Sequence, residues 1–483
     1  MQKKFNGISL LIVTLICGLI GMIPIAAQEK EQEKKTTGQP AKPAAAAQDP
    51  AKDDEPVAVT EKAKTAPVVI APVLTESQFG NFRYPTINNK GEIAFLGLFS
   101  SAKNDNRGEQ RLFYQAEGGG WKSILASGEI AADSKDKLTN LGVPHVNELG
   151  EATFSAGFVG AGESEVAAQA PVHDSNDPAA HRPYIPKTGL YKKTAAGLQT
   201  LLKMGGEVPN MPSYFTGISN VSANNKGTTA FIGTYSEPDG RGLFFHANGK
   251  LQLMARSGQR IGVNETGTFS EHYYPSVIND RDEVAFLGRS GDKSGIFMAS
   301  SRGIEIIAFG GRPSPIKGAN YLGFGNRTPG LNNKGEVVFV GFFDGPESGR
   351  GLFMKGAGPA RLVLRSGDKI PGTTYNFTDF SSPVINDRGD IAFIGNYGGR
   401  SRGLFLKTAK GVEPVALIDQ RIPGGDKDEV FNNFTQPSIN ARGEMVFYAQ
   451  WKTPKTGVEV GVFWRDQQGN LKLLFKRGDE MPK

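Results

Sequence analysis

Aromatic side chains recur at one position of a pattern that repeats along this chain. In six of seven repeats an aromatic residue stands eleven positions after a marker asparagine: Phe99, Phe158, Tyr235, Phe343, Tyr397 and Trp451. Rings placed at the end of a strand, beside variable loops, can stack on sugars or anchor a peptide. These residues therefore predict an aromatic binding rim on one face of the molecule. Packing between neighbouring sheets is the alternative interpretation.

An arginine precedes a recurring Gly-Leu-Phe sequence in three repeats: Arg241, Arg350 and Arg402. These side chains are candidate ligand contacts close to the aromatic positions. Recurrence in several repeats is also typical of a shared structural contact. The loops of this region hold similar numbers of acidic and basic residues, so no field of a single sign is expected to steer a charged partner.

One polar cluster has the residue types of a metal site. His173, Asp174, Asp177 and His181 lie close together in an insertion of the second repeat, and nitrogen and carboxylate ligands suit zinc. A polar surface loop explains the same residues, and no neighbouring residues fix a ligand geometry. We therefore predict neither a metal site nor a cofactor.

Motifs of the common catalytic classes are missing from the sequence. It contains no His-Glu-x-x-His, no Gly-x-Ser-x-Gly and no phosphate-binding loop, which are the signatures of metalloproteases, serine hydrolases and nucleotide-binding enzymes. The single cysteine, Cys17, lies in the N-terminal apolar stretch. We therefore predict no catalytic residue.

The elements that position these residues come from a tandem repeat. The marker asparagines are Asn88, Asn147, Asn224, Asn279, Asn332, Asn386 and Asn440. Each stands in Asn-x-x-Gly, or Asn-x-x-Asp in the fourth repeat, which predicts a tight hairpin with a left-handed residue at its end. A phenylalanine follows every marker by seven positions, and a glycine or alanine follows two positions later. We expect the small residue to allow close approach of a neighbouring sheet.

Four short strands in each repeat of about 54 residues are typical of one propeller blade. The sequence therefore predicts an all-β fold, a seven-bladed β-propeller of four-stranded blades. No capping repeat follows the seventh one, which favours a closed ring. Residues 67–70 are a candidate closing strand, and the Phe-x-x-Phe pairs Phe79/Phe82, Phe377/Phe380 and Phe431/Phe434 are predicted core.

The N-terminal region predicts export. Residues 1–27 have a basic start, an uncharged apolar stretch and small residues at the end, which is the pattern of a cleaved signal peptide; an uncleaved anchor is the alternative. Residues 28–66 are rich in Ala, Pro, Lys and Glu, so we predict a disordered linker. The propeller then spans residues 67–483, with an insertion near 160–187.

The formal net charge is +6, spread over a large surface without basic runs interleaved with aromatics. This pattern argues against a nucleic-acid partner. We expect membrane contact only through residues 8–27, if they are retained as an anchor.

The repeat Asn-x-x-Gly-x-x-Ala-Phe resembles the bacterial NxxGxxAF choice-of-anchor proteins. The resemblance covers residues 79–483 and is carried most clearly by Asn88, Gly91, Ala94 and Phe95. It implies an exported surface protein and assigns no activity. Unlike many members, this chain ends in a plain repeat without an apolar tail.

These observations favour an exported, monomeric, non-catalytic scaffold that binds a glycan or a protein at the cell envelope or outside the cell. The expected location is secreted, periplasmic or extracellular. Two alternatives stay open: a propeller enzyme that acts on polysaccharide or peptide through paired carboxylates, and a structural component of a surface layer.

Overall fold

The computed structural model describes residues 78–99, 109–163, 187–236, 239–262, 265–270, 277–399 and 401–482. All of them fall within the compact unit Pro67–Lys483. The predicted signal peptide, linker and closing strand, and the His173–His181 cluster, lie outside the described residues. Among the residues described, no helix is both long and apolar enough to cross a membrane.

Seven antiparallel sheets follow one another along the chain and form the blades of a β-propeller. In blades one, three and four, four consecutive strands pair in order: β1 Phe79–Ile87, β2 Ile93–Phe99, β3 Gln110–Gln115 and β4 Trp121–Ala126; β10 Phe215–Ala223, β11 Thr229–Ser236, β12 Asp239–Ala247 and β13 Lys250–Arg256; β14 Val277–Ile278, β15 Val284–Ser290, β16 Lys293–Ser300 and β17 Gly303–Phe309. This architecture confirms the predicted fold class.

In the other four blades the innermost strand is divided into two short segments that pair with the same second strand. Their strands are β5 Lys137–Leu141, β6 His145–Val146, β7 Ala152–Val159, β8 Thr188–Thr194 and β9 Gly197–Lys203; β18 Tyr321–Gly323, β19 Gly330–Leu331, β20 Val337–Phe343, β21 Gly349–Lys355 and β22 Arg361–Arg365; β23 Phe377–Phe380, β24 Val384–Ile385, β25 Ile391–Tyr397, β26 Ser401–Thr408 and β27 Gly411–Leu417; β28 Val430–Phe434, β29 Ser438–Ile439, β30 Met445–Thr453, β31 Gly457–Arg465 and β32 Leu471–Lys476. A proline precedes the second segment in all four, and proline has no N–H to donate to the ladder.

The core of each blade is built on the phenylalanine seven positions after the marker. All seven are at most 1% exposed: Phe95, Phe154, Phe231, Phe286, Phe339, Phe393 and Phe447. Each stacks on the aromatic residue opposite it in the third strand, with ring centroids 5.5–6.1 Å apart. The Phe-x-x-Phe pairs are buried in the same core, as predicted.

The small residue two positions further has a different role from the one expected. A Cβ on Gly97 would lie 2.5 Å from the ring of Phe79 and 2.9 Å from the ring of Phe113. Both rings belong to the same blade, on strands β1 and β3. The glycine therefore makes room for aromatic rings of its own sheet, and the expectation of a close neighbouring sheet is wrong at this position.

The ring closes through the same contact that joins every other pair of blades. Gly478 N–H donates to Phe79 O (2.8 Å), and Phe79 N–H donates to Asp479 O (3.1 Å). An equivalent pair of bonds links blades five and six through Gly367, Phe377 and Asp368. Each described sheet consists of consecutive strands, so the described part of the chain closes through contacts between blades and not through an exchanged strand.

Antiparallel pairing gives the ring two distinct faces. The marker hairpins, between first and second strands, lie on what we call the turn face. The ends of the second strands and the starts of the third strands, such as Val159 and Thr188, lie on the opposite side, which we call the insertion face.

Candidate functional site

The marker asparagines ring the central channel and join the blades. In all seven hairpins the Oδ1 atom accepts the main-chain N–H groups two and four residues later, at 2.9–3.1 Å. In six of them Nδ2 donates to the carbonyl of the next marker, and the Asn440–Asn88 bond (3.1 Å) closes the circle. The recurrence of asparagine thus has a structural cause.

The residue after each marker forms a second ring at the turn-face mouth of the channel. Around the ring these residues are Asn89, Glu148, Asn225, Asp280, Asn333, Asp387 and Ala441. In six of seven cases the main-chain N–H donates to the side-chain oxygen of the next residue in the ring, at 2.7–2.9 Å. We call this set the polar ring.

Amides and carboxylates alternate around the polar ring. Such an alternation cannot close around seven positions, because seven is odd. The alternation is interrupted at Ala441, which lies between Asp387 and Asn89. An amide at this position would lie next to another amide, and an acid would lie next to another acid. Asn333 Nδ2 donates to the carboxylates of both Asp280 and Asp387, at 3.0 Å each.

The channel has a narrow and a wide part that share lining residues. The narrow part, about 200 Å³, is lined by the marker asparagines and the polar ring. An apolar collar that includes Ile87, Leu331 and Ile385 connects it to a wider part of about 920 Å³, which extends toward the insertion face. We call the wide part the vestibule, and its volume suits a small organic ligand or a segment of a larger partner.

A bulge in strand β1 places two adjacent side chains in the vestibule. The β1–β2 register shifts between Arg83 and Thr86, and Tyr84 adopts a left-handed conformation with φ 53°. As a result, Arg83 and Tyr84 are both exposed, although neighbours in a regular strand face opposite sides. A bulge is a common way to direct side chains at functional sites.

The same bulge occurs in blade three with a residue better suited to it. There Asn220 has φ 52°, and asparagine tolerates this conformation because its side chain can bond locally. Tyrosine in a left-handed conformation costs about 1–2 kcal/mol. Tyr84 is also 42% exposed, so burial in the core does not offset this cost. Strain at an exposed aromatic residue in a cavity is a sign of a functional site.

His145 lines the vestibule at the base of blade two. Burial lowers the pKa of this side chain to about 4, although a hydrogen bond to the main chain of Val221 acts in the opposite direction. The imidazole is therefore neutral near pH 7 and adds no positive charge to the cavity.

The structure corrects the predicted aromatic rim. Phe99, Phe158, Tyr235, Phe343, Tyr397 and Trp451 are all buried, with at most 7% exposure. Most pack edge-on against the third-strand ring of their own blade; the Trp451 and Phe463 centroids, for example, lie 5.7 Å apart at 84°. Even spacing placed these residues on the core-facing side correctly, but this side packs against the preceding blade: Trp451, for example, shares a core cluster with Leu404 and Ala416. They offer no surface for stacking on a ligand.

Two of the three predicted arginines contact the next blade. Arg350 lies 3.6 Å from Asp379 and over the ring of Phe342, and Arg402 donates to Asn433 Oδ1 (3.0 Å). Arg241 is half-buried, and its main-chain N–H donates to Ser257. These arginines do not gather into one site, and the contacts of Arg350 and Arg402 are the inter-blade contacts that recurrence in a repeat suggests.

A buried acid in blade two escaped the sequence analysis. Asp136, 1% exposed, accepts hydrogen bonds from Ser134 (2.6 Å) and Tyr191 (3.3 Å) and pairs with Lys203 (3.2 Å). Burial and the nearby Asp136 charge raise the pKa of Tyr191. All these groups have partners within the blade, so the cluster anchors the strands beside the insertion.

The residues that the structure does bring to a cavity, Arg83 and Tyr84, were missed for a physical reason. Both look like ordinary strand residues in the repeat, and only the bulge exposes them together. The available signal was that Tyr84 is a large aromatic at a position occupied by Val143, Asn220 and Thr328 in blades two, three and five.

Solved structures with a similar chain path are distant in sequence. The β-propeller domain of the trilobed protease from Pyrococcus furiosus, described as having an open velcro topology, is 10% identical, with a TM-score of 0.46 over 83% of this chain and 100% of that chain. A lectin from Aleuria aurantia in complex with Fucα1-6GlcNAc is 10% identical (TM-score 0.31; 73% and 100% covered). A polysaccharide lyase is 9% identical (TM-score 0.40; 83% and 90% covered). Similarity at this level carries no functional inference.

No curated protein matches this sequence. One family model matches twice, over residues 51–405 and 240–482, and the first match alone spans well over half of the chain. The chain therefore belongs to the family of unknown function DUF7453.

Proposed function

We propose that this protein is an exported, non-catalytic binding scaffold that engages a glycan or protein partner on the insertion face, at the mouth of the vestibule. The observation that carries this proposal is the bulge that exposes Arg83 and the strained Tyr84 in a cavity of about 920 Å³. Large apolar cavities with a few polar groups are the usual sites of ligand binding in proteins. Export is proposed from the signal-like pattern of residues 1–27.

Two acids in the channel bear on the choice between binding and catalysis. Asp280 and Asp387 share the amide of Asn333, so they are the kind of converging pair that hydrolysis would require. However, Asp280 accepts hydrogen bonds on both oxygens, from the Asn225 main chain (2.8 Å) and from the Asn225 and Asn333 amides. These bonds hold the carboxylate in the polar ring and favour a structural role.

Affinity capture with the full chain tests the proposal. We expect the wild type to capture a specific protein or glycan from envelope and extracellular extracts, and the Arg83→Gln/Tyr84→Asn double variant to lose it. Leu149 is 71% exposed on the turn face, so Leu149→Ser is the matched control and should capture normally. Equal capture by the wild type and the double variant would move the site away from the vestibule.

Two further measurements address location and assembly. Mass spectrometry of the mature protein should find Gln28 as the first residue if the signal is cleaved. Sedimentation should give a monomer, whereas concentration-dependent assembly would favour the surface-layer alternative.

A further inference from the structure

We propose that the vestibule is a specific site for an organic anion with an apolar body, such as a carboxylate or sulfonate carried on a ring or a short hydrocarbon chain. The apolar body packs on Tyr84 and the vestibule wall, and the anionic group pairs with Arg83. This inference does not depend on the glycan or protein partner proposed above.

The wall of the vestibule selects for an apolar body. It contains four prolines and several branched aliphatic residues, including Val143, Val277 and Val384, together with Tyr84 and Tyr448. A volume of about 920 Å³ lies within the range of about 300–1,000 Å³ that small organic ligands occupy in proteins. Burial of apolar ligand surface is favourable by about 25 cal/mol per Å².

The charge of the vestibule selects for an anion. Among the described lining residues there is no Asp, Glu or Lys, and Arg83 is the one formal charge. Within the described part of the chain, the Arg83 guanidinium makes no hydrogen bond or ion pair. Arg327, at the equivalent position of blade five, instead pairs with Asp379 at 2.7 Å. A free guanidinium beside an apolar wall is suited to bidentate binding of a carboxylate or sulfonate.

The polar ring fixes the direction in which such a ligand lies. Glu148, Asp280 and Asp387 stand at the turn-face end of the channel, where they repel an anion. The anionic group is therefore held at the Arg83 end, and the apolar body points toward the collar.

A matched pair of fluorescent probes tests this inference on the full-length protein. 8-Anilinonaphthalene-1-sulfonate carries one anionic group on an apolar aromatic body, and N-phenyl-1-naphthylamine has the same rings without the charge. We expect saturable binding of both probes, with the sulfonate bound more tightly. Arg83→Gln should weaken the sulfonate about tenfold, the effect of losing one charged hydrogen-bonded contact, and leave the amine unchanged.

Tyr84→Asn introduces the residue that blade three carries at the same bulge, so this variant should fold normally. We expect it to weaken both probes, because the aromatic contact is lost. Leu149→Ser on the turn face should bind both probes like the wild type, and circular dichroism should show that all variants are folded. Arg83→Lys keeps the charge and should keep at least part of the preference for the sulfonate.

Three results would overturn the proposal: no saturable binding of either probe, equal affinity of Arg83→Gln and the wild type for the sulfonate, or unchanged binding of both probes by Tyr84→Asn. Because the probes need no natural partner, these results are independent of the capture experiment.

Discussion

Thr228 and Asp282 are two exceptions to the repeat that we expect to compensate for each other. In the other six hairpins an acid stands four residues after the marker, but blade three has Thr228 there; Asp282 replaces the hairpin glycine in blade four alone. The Asn224 amide therefore donates to Asp282 of the next blade (2.8 Å). In blade three, therefore, the carboxylate that accepts a hydrogen bond from the marker amide belongs to the hairpin of the next blade and not to its own hairpin.

The structure gives the magnitude of each change. Asp282→Gly removes a hydrogen bond between a charged acceptor and Asn224, which is 4% exposed; such a bond contributes about 1.5–3 kcal/mol. The change also relieves a left-handed conformation with φ 58°, which returns about 1 kcal/mol. We expect a net loss of about 0.5–2 kcal/mol. The exposed Lys226–Asp282 pair (3.3 Å) adds less than about 1 kcal/mol.

Thr228→Glu alone brings a second carboxylate to the same amide and should also destabilise the protein. Combined with Asp282→Gly, it recreates the hairpin of the other blades, so the double variant should approach wild-type stability. The expected coupling energy is on the order of 2 kcal/mol. Guanidinium chloride unfolding of the four proteins, followed by tryptophan fluorescence, measures it. Additive losses in the double variant would refute the compensation.

Acidification provides an independent check. Burial raises the pKa of Asp282, but hydrogen bonds from Thr228, Asn224 and Lys226 outweigh it and hold the pKa below the ordinary value of 3.8. The contribution of this carboxylate is therefore present above about pH 4 and is lost as the pH falls further. Asp282→Gly should lose less stability than the wild type over that interval.

Three more predictions concern other parts of the ring. The lowered pKa of His145, about 4, means that the unfolded chain binds a proton below about pH 6.5 and the folded protein does not. Stability should fall by about 1.4 kcal/mol per pH unit between 6.5 and 4, and His145→Ser should remove this part of the loss in urea unfolding at pH 7 and pH 5. Tyr321 has a buried hydroxyl that finds no hydrogen-bond partner among the described residues, so Tyr321→Phe should stabilise the protein by about 1 kcal/mol; a lowered thermal midpoint would contradict this. Deletion of 477–483 removes both closing bonds of Phe79 and should cost about 2 kcal/mol. In hydrogen exchange the Phe79 amide should lose protection, while the equivalent Phe377 amide keeps it.

The fold could be predicted because the same local sequence pattern occurs in all seven repeats. The marker asparagine with its glycine predicts a hairpin, and the phenylalanine seven residues after the marker predicts a strand with a buried face. The asparagine also bonds the next blade, which explains its recurrence more fully than the hairpin does.

The site could not be predicted in the same way. Period-two spacing tells which side of a strand Trp451 faces, but not whether a neighbouring blade covers that side, and here the preceding blade does. The exposure of Tyr84 depends on a register shift and a left-handed residue, neither of which leaves a pattern in the repeat. Export and the resemblance to the NxxGxxAF proteins rest on sequence alone and stay predictions.

Site-specific photo-crosslinking tests the central claim most directly, namely that binding takes place at the vestibule on the insertion face. A photoreactive phenylalanine analogue would replace Tyr84 in one protein and Leu149, on the turn face, in another. After irradiation in cell envelope extract, we predict a specific adduct from position 84 and none from position 149. An adduct from position 149 alone would contradict the account.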